Sequence, residues 1–247
     1  MTEDDSKSEF DSDIPSASIS VFFPCYNEQD NVSSTVEKAV AVLEKINADY
    51  EVIIVNDGSV DSTERIADEI KAKNPRIKTI HHSTNLGYGA ALQSGFKNAS
   101  KELVFYSDGD GQFDISEMPQ LLNLMKQYDI VSCYRLNRQD NLVRKLNAWC
   151  WNKLVCFLFS MKLRDIDCAF KLYKREIFDN IKMSSTGALI DTEILARAAR
   201  KGYTITQTGV HHYPRTAGTQ TGANIKVILR AFRELFKLYN QIRKDTT

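Results

Sequence analysis

Apolar runs punctuate the first half of the chain, and each stops at a polar or glycine-rich cluster. Ser18-Ile19-Ser20-Val21-Phe22-Phe23 predicts a short buried strand, followed by Pro24-Cys25-Tyr26-Asn27-Glu28. Val32, Val36, Ala39, Val40, Leu43 and Ile46 then recur at helical spacing. Glu51-Val52-Ile53-Ile54-Val55 is the continuous run of a strand covered on both faces, and it ends in Asn56-Asp57-Gly58-Ser59. Asp61-Ser62-Thr63 opens a helix through Ile66, Ala67 and Ile70. A third strand at 77–80 leads to Asn85-Leu86-Gly87-Tyr88-Gly89 and a helix ending near Ala99. Leu103 to Ser107 predicts a fourth strand, and Ile130-Val131-Ser132-Cys133 begins a fifth, which Arg135 ends.

Strand, polar turn, helix and strand, repeated, predicts a doubly wound α/β half. In such sheets ligands bind beyond the carboxyl ends of the strands. Tyr26/Asn27/Glu28, Asn56/Asp57, Asn85 and Asp108/Asp110 all fall there. Asp108 and Asp110, at i and i+2 of an extended segment, point to one side. Two close carboxylates repel unless a cation lies between them or one is protonated, and a hard divalent cation bridging phosphates meets that need. Gly109 and Gly111 permit a sharp bend and a close ligand. An acidic surface turn is the plainer reading of this loop alone; the coincidence of four polar strand ends favours a ligand site. Neither G-x-G-x-x-G after the first strand nor a Walker lysine motif is present.

The 247 residues, 43% hydrophobic and 26% charged, suit one large α/β domain or two small ones. Net charge is zero but uneven: Met1 to Asp13 carries six acids against Lys7, hence −5, which leaves +5 for the remainder. Residues 1–16 are expected to be a disordered acidic tail without the apolar core of a signal peptide. Five cysteines without a C-x-x-C pair argue against zinc or a disulfide scaffold and for a reducing compartment. No stretch approaches the roughly 18 apolar residues of a membrane span. His81/His82 and His211/His212 are neighbours on strand ends, facing opposite ways, and read as structural.

The motifs Val21 to Glu28, Val55-Asn56-Asp57-Gly58-Ser59-Val60-Asp61-Ser62-Thr63, Asn85-Leu86-Gly87 and Asp108-Gly109-Asp110-Gly111-Gln112 resemble, in order, those of glycosyltransferase family two. The likeness, to its dolichol-phosphate mannosyltransferase and polyprenyl-phosphate branch, continues through Asp165-Ile166-Asp167-Cys168-Ala169-Phe170-Lys171 and Pro214-Arg215-Thr216-Ala217-Gly218. It implies a GT-A fold: a Rossmann-like nucleotide half fused to an acceptor half around one mostly parallel sheet, here residues 17–222. It also implies inverting transfer of a hexose, mannose or glucose, from a GDP- or UDP-linked donor with Mg²⁺ or Mn²⁺. By this resemblance Pro24, Tyr26, Glu28, Asp57, Asn85 and Asp108 bind the nucleotide sugar. Asp108, Asp110 and Gln112 hold the metal, and Arg135, Arg144 and Arg215 grip the acceptor phosphate. Asp165, Asp167 and Asp110 are the expected catalytic residues. A lipid monophosphate is already an anion near neutrality, so Asp165 would then orient the acceptor; a sugar or lipid hydroxyl acceptor would need Asp165 or Asp167 as a true base. Merely pairing with Arg164 or Lys171 is the structural alternative for Asp165. A non-catalytic nucleotide-sugar-binding subunit would be expected to have a damaged Asp108/Asp110 pair.

From Arg135 to Arg164 seven basic residues face one acid, Asp140, interleaved with Trp149, Trp151, Phe157 and Phe159. That suits either a membrane interface or an ordinary amphipathic helix; nucleic acid is not expected, since the patch is short and the chain neutral. Residues 223–247 predict an amphipathic helix striped by Ile225, Ile228, Leu229, Phe232, Leu235, Phe236, Tyr239 and Ile242. This helix either lies on a membrane surface, docks a membrane partner, or packs back on the domain; the expected partners of the chain include a membrane protein or another copy in a homo-oligomer. Acids at Asp191 and Glu193 are explained by a helix dipole. The expected location is cytoplasmic, peripheral on the cytoplasmic face of a membrane.

Overall fold

The computed structural model describes residues 17–136, 142–215 and 225–245, and their side chains except those of 142–144 and 225–231. The acidic stretch 1–16 lies outside these residues. The first half runs β1 (Ser18–Cys25), α1 (Val32–Lys45), β2 (Asp49–Asn56), α2 (Thr63–Lys73), β3 (Ile77–His81), α3 (Tyr88–Asn98) and β4 (Leu103–Ser107). After a 3-10 turn come α4 (Pro119–Leu124), β5 (Ile130–Ser132), β6 (Tyr134–Leu136), α5 (Leu142–Leu158) and β7 (Phe170–Lys174). The chain continues as α6 (Glu176–Asn180), α7 (Ile190–Arg200), β8 (Ile205–Thr206), β9 (Gly209–His211) and α8 (Ile225–Lys244).

Seven strands form one sheet in the order β3-β2-β1-β4-β7-β5-β8. All pairs are parallel except those of β7, which runs against both β4 and β5. The apolar runs are the buried strands: from Tyr50 to Asn56 every residue of β2 is buried. Phe22, Phe96 and Tyr106 pack one face with ring centroids 4.8 to 5.6 Å apart, while Phe105 meets Phe170 on the other at 4.7 Å. Full burial of such side chains contributes about 1.5–3 kcal/mol each, which anchors the sheet whose rim carries the polar loops.

Because β7 is antiparallel, its first residue opposes the last of β4, with Phe170 against Ser107. The segment Asp165–Ala169 is thereby delivered to the same rim as Asp108–Asp110. Arg135 was expected to end the fifth strand. The strand instead changes partner after Ser132: Cys133 N–H donates to Phe170 O, Tyr134 N–H donates to Thr208 O, and Arg135 belongs to β6, paired with β9 in a separate two-stranded sheet.

The C-terminal helix packs back on the domain through Leu235, Leu238 and Ile242, all buried. It lies against α7 and also touches α5, with Trp151 edge-on to Phe232 and Phe159 to Tyr239. Phe232 and Phe236 stay exposed.

Candidate active site

Beyond the carboxyl ends of β1, β2 and β3 lies a cleft of about 470 Å³, lined by Tyr26, Ser59, Val60, His82, Thr84 and Asn85. Asn27, in the left-handed region at φ 56°, ties the loop after β1 to the loop after β2. Its side-chain oxygen accepts from Val60 N–H at 2.9 Å, and its own N–H donates to Ser59 Oγ at 2.9 Å. Tyr26 and Asn85 face the cleft and are exposed. Pro24 does not: it is buried in β1, and its carbonyl accepts the Gly109 N–H at 3.3 Å.

Asp57, expected to hold the nucleoside, is 3% exposed and occupied by the polypeptide. One oxygen accepts from His82 Nδ1 at 2.7 Å and Leu86 N–H at 2.9 Å, and the other from Gly87 N–H at 2.9 Å. It shapes the Asn85–Gly87 loop instead of presenting a free carboxylate. The histidines are structural: His82 Nε2 pairs with Ser94 Oγ at 2.8 Å, His81 Nε2 with Asp68 at 3.1 Å, and His211 with Glu117.

The carboxylate loop follows β4. A Cβ on Gly109 would lie 2.6 Å from Cys25 Sγ, so the loop is pressed onto β1 and only glycine fits. Gly111 supplies the turn at φ 72°. Desolvation first, then the neighbouring Asp110, push the Asp108 carboxyl up to about 7, against a hydrogen bond from Tyr88. Asp108 Oδ1 is buried without a hydrogen-bond partner. An orphaned buried carboxylate beside a second one fits a divalent cation, with further oxygen ligands coming from a diphosphate. Among the described residues no cluster of three or more His, Cys, Asp or Glu forms a complete metal cage.

Asp110 is 6% exposed. Its Oδ1 accepts from Gln112 N–H at 3.1 Å, and its Oδ2 from Arg215 Nη2 at 2.7 Å. Glu28 joins this cluster, not the cleft: Oε1 accepts from Arg215 at 3.4 Å and Oε2 from Asn31 at 2.7 Å. Burial raises its carboxyl above the ordinary value. Gln112, expected as a metal ligand, spends its amide N–H on Tyr213 O at 2.9 Å, while Tyr213 N–H donates back to Gln112 O at 2.8 Å. That double tie is what delivers Arg215.

On the part of the rim expected to take the acceptor, Arg135 and Asp165 form a two-pronged pair, Nε to Oδ2 at 2.7 Å and Nη2 to Oδ1 at 2.8 Å. Both carboxylate oxygens are therefore engaged by a guanidinium. The partners expected for Asp165 lie elsewhere. Arg164 stacks over Tyr134 at 3.9 Å, and Lys171 is wholly buried. Desolvation, then Asp191 and Asp165, push Asp167 up to about 6, although much of that residue's surface faces solvent. Arg144 is on α5, and its side chain lies outside the described ones.

Beneath these loops runs a buried relay that the sequence analysis did not single out. Lys171 Nζ donates to Asp191 at 2.8 Å, to Tyr106 Oη at 3.2 Å and to Cys168 O at 2.5 Å, and Tyr106 also donates to Asp191. Burial first, then the charges of Asp108 and Asp191, push the neighbouring Tyr88 hydroxyl well above its ordinary value. The signal was a lysine inside an apolar run, Ala169-Phe170-Lys171-Leu172-Tyr173, where a strand buried on both faces has no route to solvent. Glu193 is likewise more than a dipole partner: it accepts from Ser184 N–H and Oγ, Ser185 N–H and Arg197.

The profile of the family Glycosyl transferase family 2 matches residues 20–182. An undecaprenyl-phosphate 4-deoxy-4-formamido-L-arabinose transferase of Aeromonas hydrophila is 34% identical over 163 residues, 65% of this chain and 50% of that protein. Glycosyltransferase AglD of Haloferax volcanii is 32% identical over 207 residues, 80% of this chain and 33% of that protein. The chain thus spans half or less of these relatives. Among solved structures, mannosyl-3-phosphoglycerate synthase from Rubrobacter xylanophilus superposes with a TM-score of 0.72 at 16% identity, over 93% of this chain and 75% of that one. Glucosyl-3-phosphoglycerate synthase from Mycobacterium tuberculosis, solved with Mn²⁺, UDP-glucose and phosphoglyceric acid, gives 0.69 at 16% identity, over 92% and 79%. At such identities these structures speak to the fold.

Proposed function

The chain belongs to Glycosyl transferase family 2 and has the GT-A fold, and on that premise we propose that it moves a hexose, mannose or glucose, from a nucleotide sugar to a polyprenyl or dolichyl phosphate with inversion. The observation that carries this reading is the Asp108/Asp110 pair, with its buried partnerless oxygen, set 2.7 Å from the guanidinium of Arg215. It puts a cation-seeking group and a phosphate-seeking group at one point on the sheet rim. Tyr26 and Asn85 would line the nucleoside. Asp108 and Asp110 would hold Mg²⁺ or Mn²⁺, which when bound offsets charge growing on the leaving diphosphate. The donor would be a GDP- or UDP-linked sugar; the Mycobacterium tuberculosis structure of the same fold was solved with Mn²⁺ and UDP-glucose.

Arg215, with Arg144 and Arg135, would take the acceptor phosphate, a task suited to guanidinium forks. A lipid monophosphate with a second pKa of about 6 needs no strong base. The engagement of both Asp165 oxygens by Arg135 agrees with that, since a carboxylate so paired is a poor proton acceptor; Asp165 would position Arg135. The Aeromonas relative, named for undecaprenyl phosphate, supports the same acceptor class. A hydroxyl acceptor is the second reading. It is favoured by Asp167, which is exposed on the same rim, where a carboxylate can take a hydroxyl proton.

Among the described residues no helix is long and apolar enough to cross a membrane. The proposed position is peripheral on the cytoplasmic face of a membrane; contact with a membrane surface is supported by Leu146, Trp149 and Phe157, exposed on α5 among Lys145 and Lys153.

The deciding experiment supplies radiolabelled nucleotide sugars, dolichyl or undecaprenyl phosphate and Mn²⁺. Label is expected in the organic phase, and Asp108→Asn should reduce its rate about 100- to 1,000-fold. Label appearing only on a soluble saccharide would overturn the lipid-phosphate reading.

A further inference from the structure

Arg215 lies against the carboxylates read as cation-binding, with Asp110 at 2.7 Å and Glu28 at 3.4 Å, while Arg135 is paired with Asp165. Both oxygens of Asp110 are in use: Oδ1 by the Gln112 N–H and Oδ2 by Arg215. Glu28 supports the same guanidinium from the other side, at 3.4 Å. The placement is built and not incidental. Gln112 and Tyr213 exchange two hydrogen bonds, so the backbone two residues before Arg215 is tied to the carboxylate loop itself. Asp108 Oδ1, next to this cluster, is buried without a partner. A divalent cation shared by Asp108 and Asp110 needs an oxygen of Asp110, and two cations drawn to one buried carboxylate repel each other.

We propose that Arg215 is an internal counter-ion that competes with the divalent cation for Asp110 and, once the metal and nucleotide have loaded, passes to the acceptor phosphate. The inference rests on the proposed function, in which Asp108 and Asp110 hold the metal and the acceptor is a phosphate. Its consequence is an order of binding. Before loading, the guanidinium that the described residues place at this cluster is engaged by Asp110 and Glu28, so the acceptor phosphate meets a weakened grip. After loading, the same side chain is free to turn to it. Binding free energies are reciprocal: whatever factor the cation contributes to phosphate binding, phosphate returns to cation binding.

The test is a Mn²⁺ titration followed by loss of the free-ion electron paramagnetic resonance signal, on the full chain, without nucleotide or acceptor. Arg215→Gln is expected to bind Mn²⁺ about tenfold more tightly than the unaltered chain, within the usual range of such couplings. Arg215→Lys, which keeps the charge, should fall between them. Circular dichroism establishes that each variant is folded, and an Arg215→Gln chain that does not fold leaves the comparison to Arg215→Lys. In a second arm, a short prenyl monophosphate added to the unaltered chain with UDP should tighten Mn²⁺ binding, and the effect should vanish in Arg215→Gln.

Equal or weaker Mn²⁺ affinity in folded Arg215 variants overturns the competition. A tighter Arg215→Gln chain with no response to prenyl phosphate in the unaltered one overturns the transfer of Arg215 to the acceptor. No Mn²⁺ uptake by either chain, even with UDP, would instead overturn the cation reading of Asp108 and Asp110 on which the inference stands.

Discussion

Glu193 is wholly buried, and the groups around it keep it ionised. Burial alone would raise its carboxyl, but hydrogen bonds from Ser184 and Ser185 outweigh that and hold it below the ordinary 4.5. A carboxylate depressed in the folded state stabilises the fold above its unfolded pKa and loses that contribution as pH falls through the folded value. Thermal melting of the unaltered chain should therefore drop below about pH 4.5. Glu193→Gln should melt lower at pH 7 and depend less on acid; equal slopes for both chains would remove Glu193 from the account. At this scale some roles were legible and others not. Asp108 and Asp110 stand one residue apart, so their convergence follows from strand geometry. The pairing of Arg135 with Asp165, and of Arg215 with Asp110, joins residues 30 and 105 positions apart, and no local pattern encodes which guanidinium meets which acid. Asp57 and Glu28 were recognised as site residues, but their hydrogen bonds fit them to shaping a loop and to the ion cluster.

The first turn of α3 is held by a loop from the far half of the chain. Gly89 N–H donates to Thr186 O at 2.9 Å, and Gln93 donates to Ser185 O at 2.9 Å. A Cβ on Gly89 would lie 2.5 Å from Ser185 O, so the glycines of Gly87-Tyr88-Gly89 dock backbone on backbone and cradle no phosphate. Gly89→Ala should cost about 1–3 kcal/mol in urea unfolding; a smaller loss would mean that the loop gives way freely. The parallel half of the sheet was readable because its strands are uninterrupted apolar runs with polar ends. Strand β7 was less so, since Lys171 breaks its apolar pattern and only the folded chain shows Asp191 waiting for the charge. The end of β5 was misplaced for a related reason: β6 continues the extended chain with no turn residue to mark the change of partner.

For the molecule as a whole, α8 touches α5 where Phe232 meets Trp151, and the side chains these helices turn outward are unlike those of the strand-end loops. Phe157 is 82% exposed and Trp149 58%, near Lys153, whose ammonium lies 5.9 Å from the Trp149 ring. On α8, Arg233 and Lys237 are exposed beside Phe236. Membrane binding through this side predicts that the chain floats with vesicles containing anionic lipid, and that Trp149→Glu with Phe157→Glu abolishes flotation without lowering the melting temperature. Flotation of the double variant equal to that of the unaltered chain would place the contact elsewhere. The antiparallel strand β7 carries a different consequence. It enters the sheet where β4 leaves it, so the segment around Asp165 and Asp167 meets the donor loops without being covalently near them. On the proposed function, in which Arg135, Arg144 and Arg215 grip the acceptor from outside this segment, a hybrid that exchanges residues 160–169 for those of a relative should alter which acceptor receives the sugar, through Asp165 and Asp167, while leaving the choice of nucleotide untouched.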